Sequence, residues 1–123
     1  MALKALIVDD EEDVLEVLQD RLEAYGFTVV AARTGREALE RLSQESFDGV
    51  FMDIKMPEMD GMRTLGEIRK SGSAIPVIII TASSTKEAAR QALARGANEY
   101  VLKPFEWQEL KSKIEKVYQI NLS

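Results

Sequence analysis

The sequence contains no histidine and no cysteine. Without an imidazole there is no general base of the commonest kind, no zinc site of the usual kind and no phosphohistidine within the chain. Without a thiol there is no disulfide and no thiolate nucleophile, a composition that suits a reducing cytoplasm. Any bound metal must be held by oxygen, and oxygen ligands select hard cations. A long apolar run is missing too. The longest, 75–80, is interrupted by Pro76 and falls far short of the roughly 18 residues that a membrane-crossing helix needs. No secretory leader is expected, because Met1-Ala2-Leu3-Lys4 runs straight into a strand-like stretch ending at Asp9. Positive charge is not in excess either. A formal net charge of -5 argues against binding along a phosphate backbone, so neither direct nucleic acid contact nor a membrane partner is expected.

What is present is an ordinary globular composition, 46% hydrophobic and 30% charged over 123 residues, which fits one domain spanning 1–123. Short apolar runs alternate five times with segments of helical spacing. The strand-like runs are 3–8, 27–32, 49–52, 76–80 and 100–102. Val14, Leu15, Leu18 and Leu22 mark a first helix, with Asp10 in the N-cap position and Tyr25-Gly26 at its end. Ala38, Leu39 and Leu42 mark a second, with Thr34 and Glu37 spaced as a capping box. Met62, Leu65 and Ile68 follow the turn-rich Met56-Pro57-Glu58-Met59-Asp60-Gly61; a fourth helix runs from about 85 to 95 and stops at Gly96; the last carries Leu110, Ile114 and Val117. Five βα units joined by short loops predict an α/β fold with a parallel sheet, right-handed crossovers and helices on both faces. The unbroken apolar runs 5–8 and 77–80 predict central strands covered on both sides.

In an open parallel sheet, ligands sit beyond the carboxyl ends of the strands. Those ends carry Asp9 and Asp10, Asp53, Thr81 and Lys103. Each has an ordinary explanation alone. Asp9 and Asp10 suit helix capping, the acidic stretch 10–13 suits a helix N-terminus, Thr81 suits a turn, and Lys103 suits a solvated position. Gathered at one sheet edge they make a different object. Three crowded carboxylates repel one another until a proton or a cation joins them, and carboxylate, carbonyl and water oxygens are what Mg²⁺ accepts. Lys103 adds positive charge on the other side, and the Thr81 hydroxyl can donate to the same bound group. A carboxylate nucleophile, a Mg²⁺ site, an ammonium and a hydroxyl are what phosphoryl transfer to an aspartate requires.

The stretches Leu6-Ile7-Val8-Asp9-Asp10-Glu11, Met52-Asp53-Ile54-Lys55-Met56-Pro57-Glu58-Met59-Asp60-Gly61, Ile80-Thr81-Ala82 and Gly96-Ala97-Asn98-Glu99-Tyr100-Val101-Leu102-Lys103-Pro104-Phe105, in this order, resemble the response regulator receiver family. The resemblance covers essentially the whole chain. It implies a CheY-like, flavodoxin-like doubly wound (βα)5 fold with strand order 2-1-3-4-5. It also implies Asp53 as the phosphoacceptor, and Mg²⁺ (with Mn²⁺ able to substitute) bound directly by Asp10, Asp53 and the Lys55 backbone carbonyl, with Asp9 acting chiefly through water. Lys103 would bind the phosphoryl group. Thr81 and Tyr100 would form the switch, the hydroxyl swinging toward the phosphoryl group and the ring turning inward, with small Ala82 leaving room. The Lys103-Pro104 bond would be cis. Lys55 and Ser83 occupy the two positions that vary beside the acceptor in this family, and they are expected to tune the lifetime of the phosphorylated state.

The implied function is a two-component or phosphorelay switch in the cytoplasm rather than an enzyme, one that promotes only its own phosphorylation and dephosphorylation. Its donor would be a histidine kinase or a histidine phosphotransfer protein. Val14 and Val17 exceed what one core stripe of the first helix needs; they suit either a wide buried stripe or the docking patch that similar proteins place on this helix. Lys86, Glu87, Arg90, Gln91, Glu99, Tyr100 and Lys111 outline a mixed-charge face of helix 4, strand 5 and helix 5, in this family the usual output or homodimer surface. Trp107 is expected to pack, and to report ligand binding by fluorescence. Two other classes fit worse. A dehalogenase-type phosphatase expects an acid two residues after its nucleophile, where this chain has Lys55, and a flavin mononucleotide site would face repulsion from Asp9-Asp10-Glu11-Glu12-Asp13. The chain is expected to be either a stand-alone receiver or the amino-terminal part of a longer regulator.

Overall fold

The computed structural model describes residues 3–55 and 60–122. Five strands and five helices alternate: β1 (Lys4–Val8), α1 (Glu12–Ala24), β2 (Thr28–Ala32), α2 (Gly35–Gln44), β3 (Gly49–Met52), α3 (Gly61–Lys70), β4 (Val77–Thr81), α4 (Lys86–Ala94), β5 (Glu99–Leu102) and α5 (Trp107–Tyr118). The strands form one parallel sheet in the order β2-β1-β3-β4-β5. The expected order and the alternation of elements are both found. The turn-rich stretch 56–59 lies outside the described residues.

The apolar runs of β1, β3 and β4 divide by alternation, because successive strand side chains point to opposite faces. Leu6, Val8, Val50, Met52, Val77 and Ile79 point to one face, where Ala38 of α2, Leu65 of α3 and Ala92 of α4 cover them. Ala5, Ile7, Phe51, Ile78 and Ile80 point to the other, under Leu15, Leu18 and Leu22 of α1 and Leu110 and Ile114 of α5. Both faces are therefore apolar, which is why these strands read as continuous hydrophobic runs.

Helix ends follow local chemistry, with two departures from expectation. Thr34, Asp60 and Thr85 cap α2, α3 and α4, each side chain accepting a backbone N–H three residues on. In α2 the reciprocal arm lands one residue early: Glu37 Oε1 accepts from Arg33 N rather than from Thr34 N. Asp10 does not cap α1. The cap position is Glu11, with no side-chain bond, and the Glu11 N–H donates instead to Asp9 Oδ1 at 2.9 Å.

Two contacts at the lower edge of the sheet fix its far end from the strand tips. A Cβ at Gly49 would meet Tyr118 Cζ at 2.6 Å and the Tyr118 hydroxyl closer still, so a side chain at the start of β3 would have to displace the Tyr118 ring. Arg69, at the end of α3, donates to Gly96 O at 2.8 Å and Ser73 O at 3.1 Å, tying α3 to the turn that leads into β5. Among the described residues no helix is long and apolar enough to cross a membrane.

Candidate functional site

The upper edge of the sheet collects the tips of β1, β3, β4 and β5. Parallel pairing brings Val8 alongside Met52 and Thr81 alongside Leu102, so the residues that follow these positions share one rim. Asp9, Asp10 and Asp53 meet there, each offering a carboxylate oxygen within 4.8 Å of the others. Asp9 and Asp53 are buried, whereas Asp10 is exposed and opens the cluster to solvent.

Lys103 reaches into this cluster from the end of β5, ninety-four residues away from Asp9 in sequence. Its Nζ donates to Asp9 Oδ2 at 2.7 Å and to Asp53 Oδ2 at 2.9 Å. A third carboxylate, Glu11 Oε1, lies 3.2 Å away on the solvent side. Nothing in the sequence marked Glu11 as a partner of Lys103; its place directly after Asp10 is the only hint. The Lys103-Pro104 peptide is cis.

The electrostatics follow from burial. Desolvation is the largest influence on Lys103 and would lower its pKa, but hydrogen bonds and charge from Asp53 and Asp9 outweigh it and hold the ammonium above its ordinary range. Burial pushes Asp9 upward, against the lowering effect of Lys103 and of the Glu11 N–H. The remaining lone pairs are partly spoken for: Lys55 N donates to Asp53 Oδ1 at 2.9 Å, while the Lys55 side chain is exposed.

Thr81 ends β4 fully buried, its Oγ1 accepting from Ser83 N at 3.3 Å. The Tyr100 hydroxyl donates to Ser83 O at 2.7 Å, and burial raises the pKa of that phenol. Thr81 and Tyr100 are therefore joined through one residue, Ser83, itself buried. Ala82 beside it is exposed.

A second feature adjoins the cluster. A groove of about 570 Å³ runs between α1 and the segment after β5, lined in part by Val14, Val17, Leu18, Pro104, Phe105 and Trp107. Val17 stands 54% exposed at its rim, so a wide buried stripe does not account for it. Trp107 packs, as expected, stacked on Tyr25 at 5.5 Å between ring centres with Arg21 over its face.

An all-oxygen donor set of three acids, two buried and one open to solvent, suits a hard divalent ion such as Mg²⁺ and offers nothing to a soft one. The opposed ammonium suits an anion held beside that ion.

Comparison with known proteins gives one result throughout. Residues 5–115 match the family described as the response regulator receiver domain. Among curated proteins, the transcriptional regulatory protein ZraR of Escherichia coli K12 is 43% identical over 111 residues, covering 90% of this chain and 25% of ZraR. The regulatory protein AtoC of the same organism is 41% identical over 117 residues, covering 95% and 25%. The chain thus spans about a quarter of the length of these relatives. Among solved structures, the Francisella response regulator 1452 receiver domain superposes with a TM-score of 0.89 at 30% identity, covering 95% of this chain and 97% of that one. The Thermotoga maritima response regulator TrrA, in complex with Mg²⁺-BeF, superposes with a TM-score of 0.85 at 36% identity, covering 94% and 98%.

Proposed function

Because the chain belongs to the response regulator receiver family, we propose that it accepts a phosphoryl group on Asp53 from a histidine kinase or histidine phosphotransfer protein and signals by changing shape. The observation that carries this reading is the position of Lys103 Nζ, bonded at once to Asp9 and Asp53 beside a three-acid cluster. An Asp53 carboxylate oxygen attacks phosphorus in line; the P–N bond to the donor imidazole breaks, and the donor leaves with the bonding pair. Lys103 neutralises the phosphoryl oxygens from one side. Asp10 and Asp53, with the Lys55 carbonyl and with Asp9 through water, would hold Mg²⁺ (or Mn²⁺), which when bound supplies charge neutralisation from the other side. The Thr81 hydroxyl turns toward the new group. That movement disturbs the Ser83 turn to which Tyr100 is bonded, and the change reaches the face of α4, β5 and α5.

Intact mass tests the chemistry. With acetyl phosphate and Mg²⁺, the wild-type chain should gain the mass of one phosphoryl group, and Asp53→Ala should gain none; labelling of both, or of neither, would refute the assignment. Followed in time, the same measurement reads the tuning role of Lys55 and Ser83, since Lys55→Ala and Ser83→Glu should change the adduct's lifetime. Lifetimes unchanged from wild type in both variants would dismiss that role.

Donor docking is assigned to α1 and the adjoining groove, where Val17 is exposed. Val17→Glu should slow transfer from a phosphorylated protein donor while labelling by acetyl phosphate stays normal; slowing of both would point to misfolding instead. On α4 and β5, Leu93 and Leu102 are 50% and 42% exposed, which supports a homodimer through α4, β5 and α5. Glu99 is already held there by Lys113 and Lys116, each at 3.0 Å. Sedimentation with and without Mg²⁺-beryllofluoride would show whether dimers form. The protein so described is a cytoplasmic switch, its 1–123 segment acting as one receiver domain and not as an enzyme.

A further inference from the structure

Where α3 begins, it lies against the backbone that follows the acceptor strand, and the residue at that contact is a glycine. A Cβ on Gly61 would meet Ile54 Cα at 2.5 Å and the Asp53 carbonyl carbon at 2.9 Å, with the Asp53 carbonyl oxygen nearer still. All three are backbone atoms, so none can turn aside as a side-chain tip would. The same residue is also bonded to the strand end, its N–H donating to Ile54 O at 3.1 Å. Contact and hydrogen bond together press the first turn of α3 against the two peptides that follow the acceptor. The turn itself is anchored by Asp60, whose Oδ1 accepts from Arg63 N at 2.9 Å and whose carbonyl accepts from Thr64 N and Thr64 Oγ1.

Those two peptides determine where the oxygens of the site lie. Lys55 N donates to Asp53 Oδ1, so the direction of the acceptor carboxylate depends on the path of Ile54. Resting on the reading of Asp53 and the Lys55 carbonyl as cation ligands, we propose that Gly61 is a positioning residue for divalent-cation binding. By admitting α3 to within contact of the backbone at Asp53 and Ile54, it sets the ligand geometry that Mg²⁺ requires. A side chain here forces α3 outward or twists the strand end, and either movement displaces the ligands together.

Ion selectivity is the property that separates this positioning role from a loss of stability alone. Mg²⁺ demands near-ideal octahedral geometry at short distances, whereas Ca²⁺ tolerates irregular sites. Gly61→Ala should therefore weaken Mg²⁺ binding by about tenfold or more and Ca²⁺ binding much less, in calorimetric titrations at a temperature where near-UV circular dichroism shows the variant folded. Gly96→Ala serves as the control. It strains a residue at φ 102° against the Arg69 side chain, near the far end of α3, so it should lower stability while leaving the Mg²⁺ to Ca²⁺ preference unchanged.

Should Gly61→Ala fail to fold, Asp60→Ala and Asp60→Asn carry the test. Both remove a charge, but only alanine releases the cap that seats the turn. Asp60→Ala should then bind Mg²⁺ about threefold more weakly than Asp60→Asn, with the difference smaller for Ca²⁺. Wild-type selectivity in Gly61→Ala overturns the inference, as does equal binding by the two Asp60 variants. A wild-type chain that binds no Mg²⁺ overturns the ligand reading itself, and this inference with it.

Discussion

Lys103→Met should leave the metal-free protein about 3 kcal/mol less stable at neutral pH while making it bind Mg²⁺ more tightly. The side chains of Lys103, Asp9 and Asp53 are 12%, 3% and 5% exposed, so this ion cluster is largely out of water. Removing the cation strands two buried carboxylates beside Asp10, and breaking a buried pair costs roughly 3–5 kcal/mol. The contact from exposed Glu11 is screened and adds little. Because the ammonium and a divalent ion draw on the same carboxylates, deleting the first removes a competitor of the second. Added Mg²⁺ should raise the variant's stability by more than it raises that of the wild type.

The pH dependence of this difference has a definite sign. Lys103 is raised above its ordinary 10.5, so its stabilisation is complete at neutral pH and is lost only as pH rises through the higher folded value. Asp9 is raised above 3.8, chiefly by burial, so its share is present below that value and is lost as pH rises through the folded one. At neutral pH an ionised Asp9 is thus a burden that Lys103 offsets. The gap between wild type and Lys103→Met should narrow on acidification toward about pH 4, as Asp9 takes a proton. Urea unfolding across that range measures it. A gap that widens with acid would mean that Lys103 does not act through these carboxylates.

The second large effect runs the opposite way. Asp10→Asn should lose Mg²⁺ affinity by roughly a hundredfold, with metal-free stability unchanged or slightly higher. Among the described residues Asp10 pairs with no cation, and it is the exposed member of the cluster. It therefore contributes repulsion when no ion is bound and a full charge opposite a dipositive ion when one is. A unit pair at about 4 Å is worth about 4 kcal/mol at an effective dielectric of 20, so the loss of one carboxylate charge is large. Calorimetric titration beside a denaturant curve separates the two effects. Retained affinity would make Asp10 an ordinary acidic residue near a helix N-terminus.

Some of the architecture could be read residue by residue. The strands are bounded by polar residues at Asp9, Asp53 and Thr81, and the cap at Thr34 comes from a side chain that hydrogen-bonds within one turn. Such signals are local, so no knowledge of distant residues is needed. The start of α1 was misread for the same reason. Asp10 has the chemistry of a cap, but three acids assemble at this spot and Asp9 takes the Glu11 N–H. Val17 was undecided until α5 and the segment after β5 were seen to leave it exposed beside the groove.

By itself the sequence determined the chemistry available: an all-oxygen, histidine-free and thiol-free set of acids, one lysine and one hydroxyl at strand tips, and the alternation that makes a parallel sheet. Only the tertiary structure decided who touches whom, with Lys103 on Asp9, Asp53 and also Glu11, Thr81 and Tyr100 meeting at Ser83, and Gly61 against the backbone of Asp53 and Ile54. Hydrophobic periodicity and capping act over a few residues and are written into neighbouring letters. Contact between strand ends is set by sheet register and by how closely helices pack on both faces, and those distances exist only once the whole core has closed.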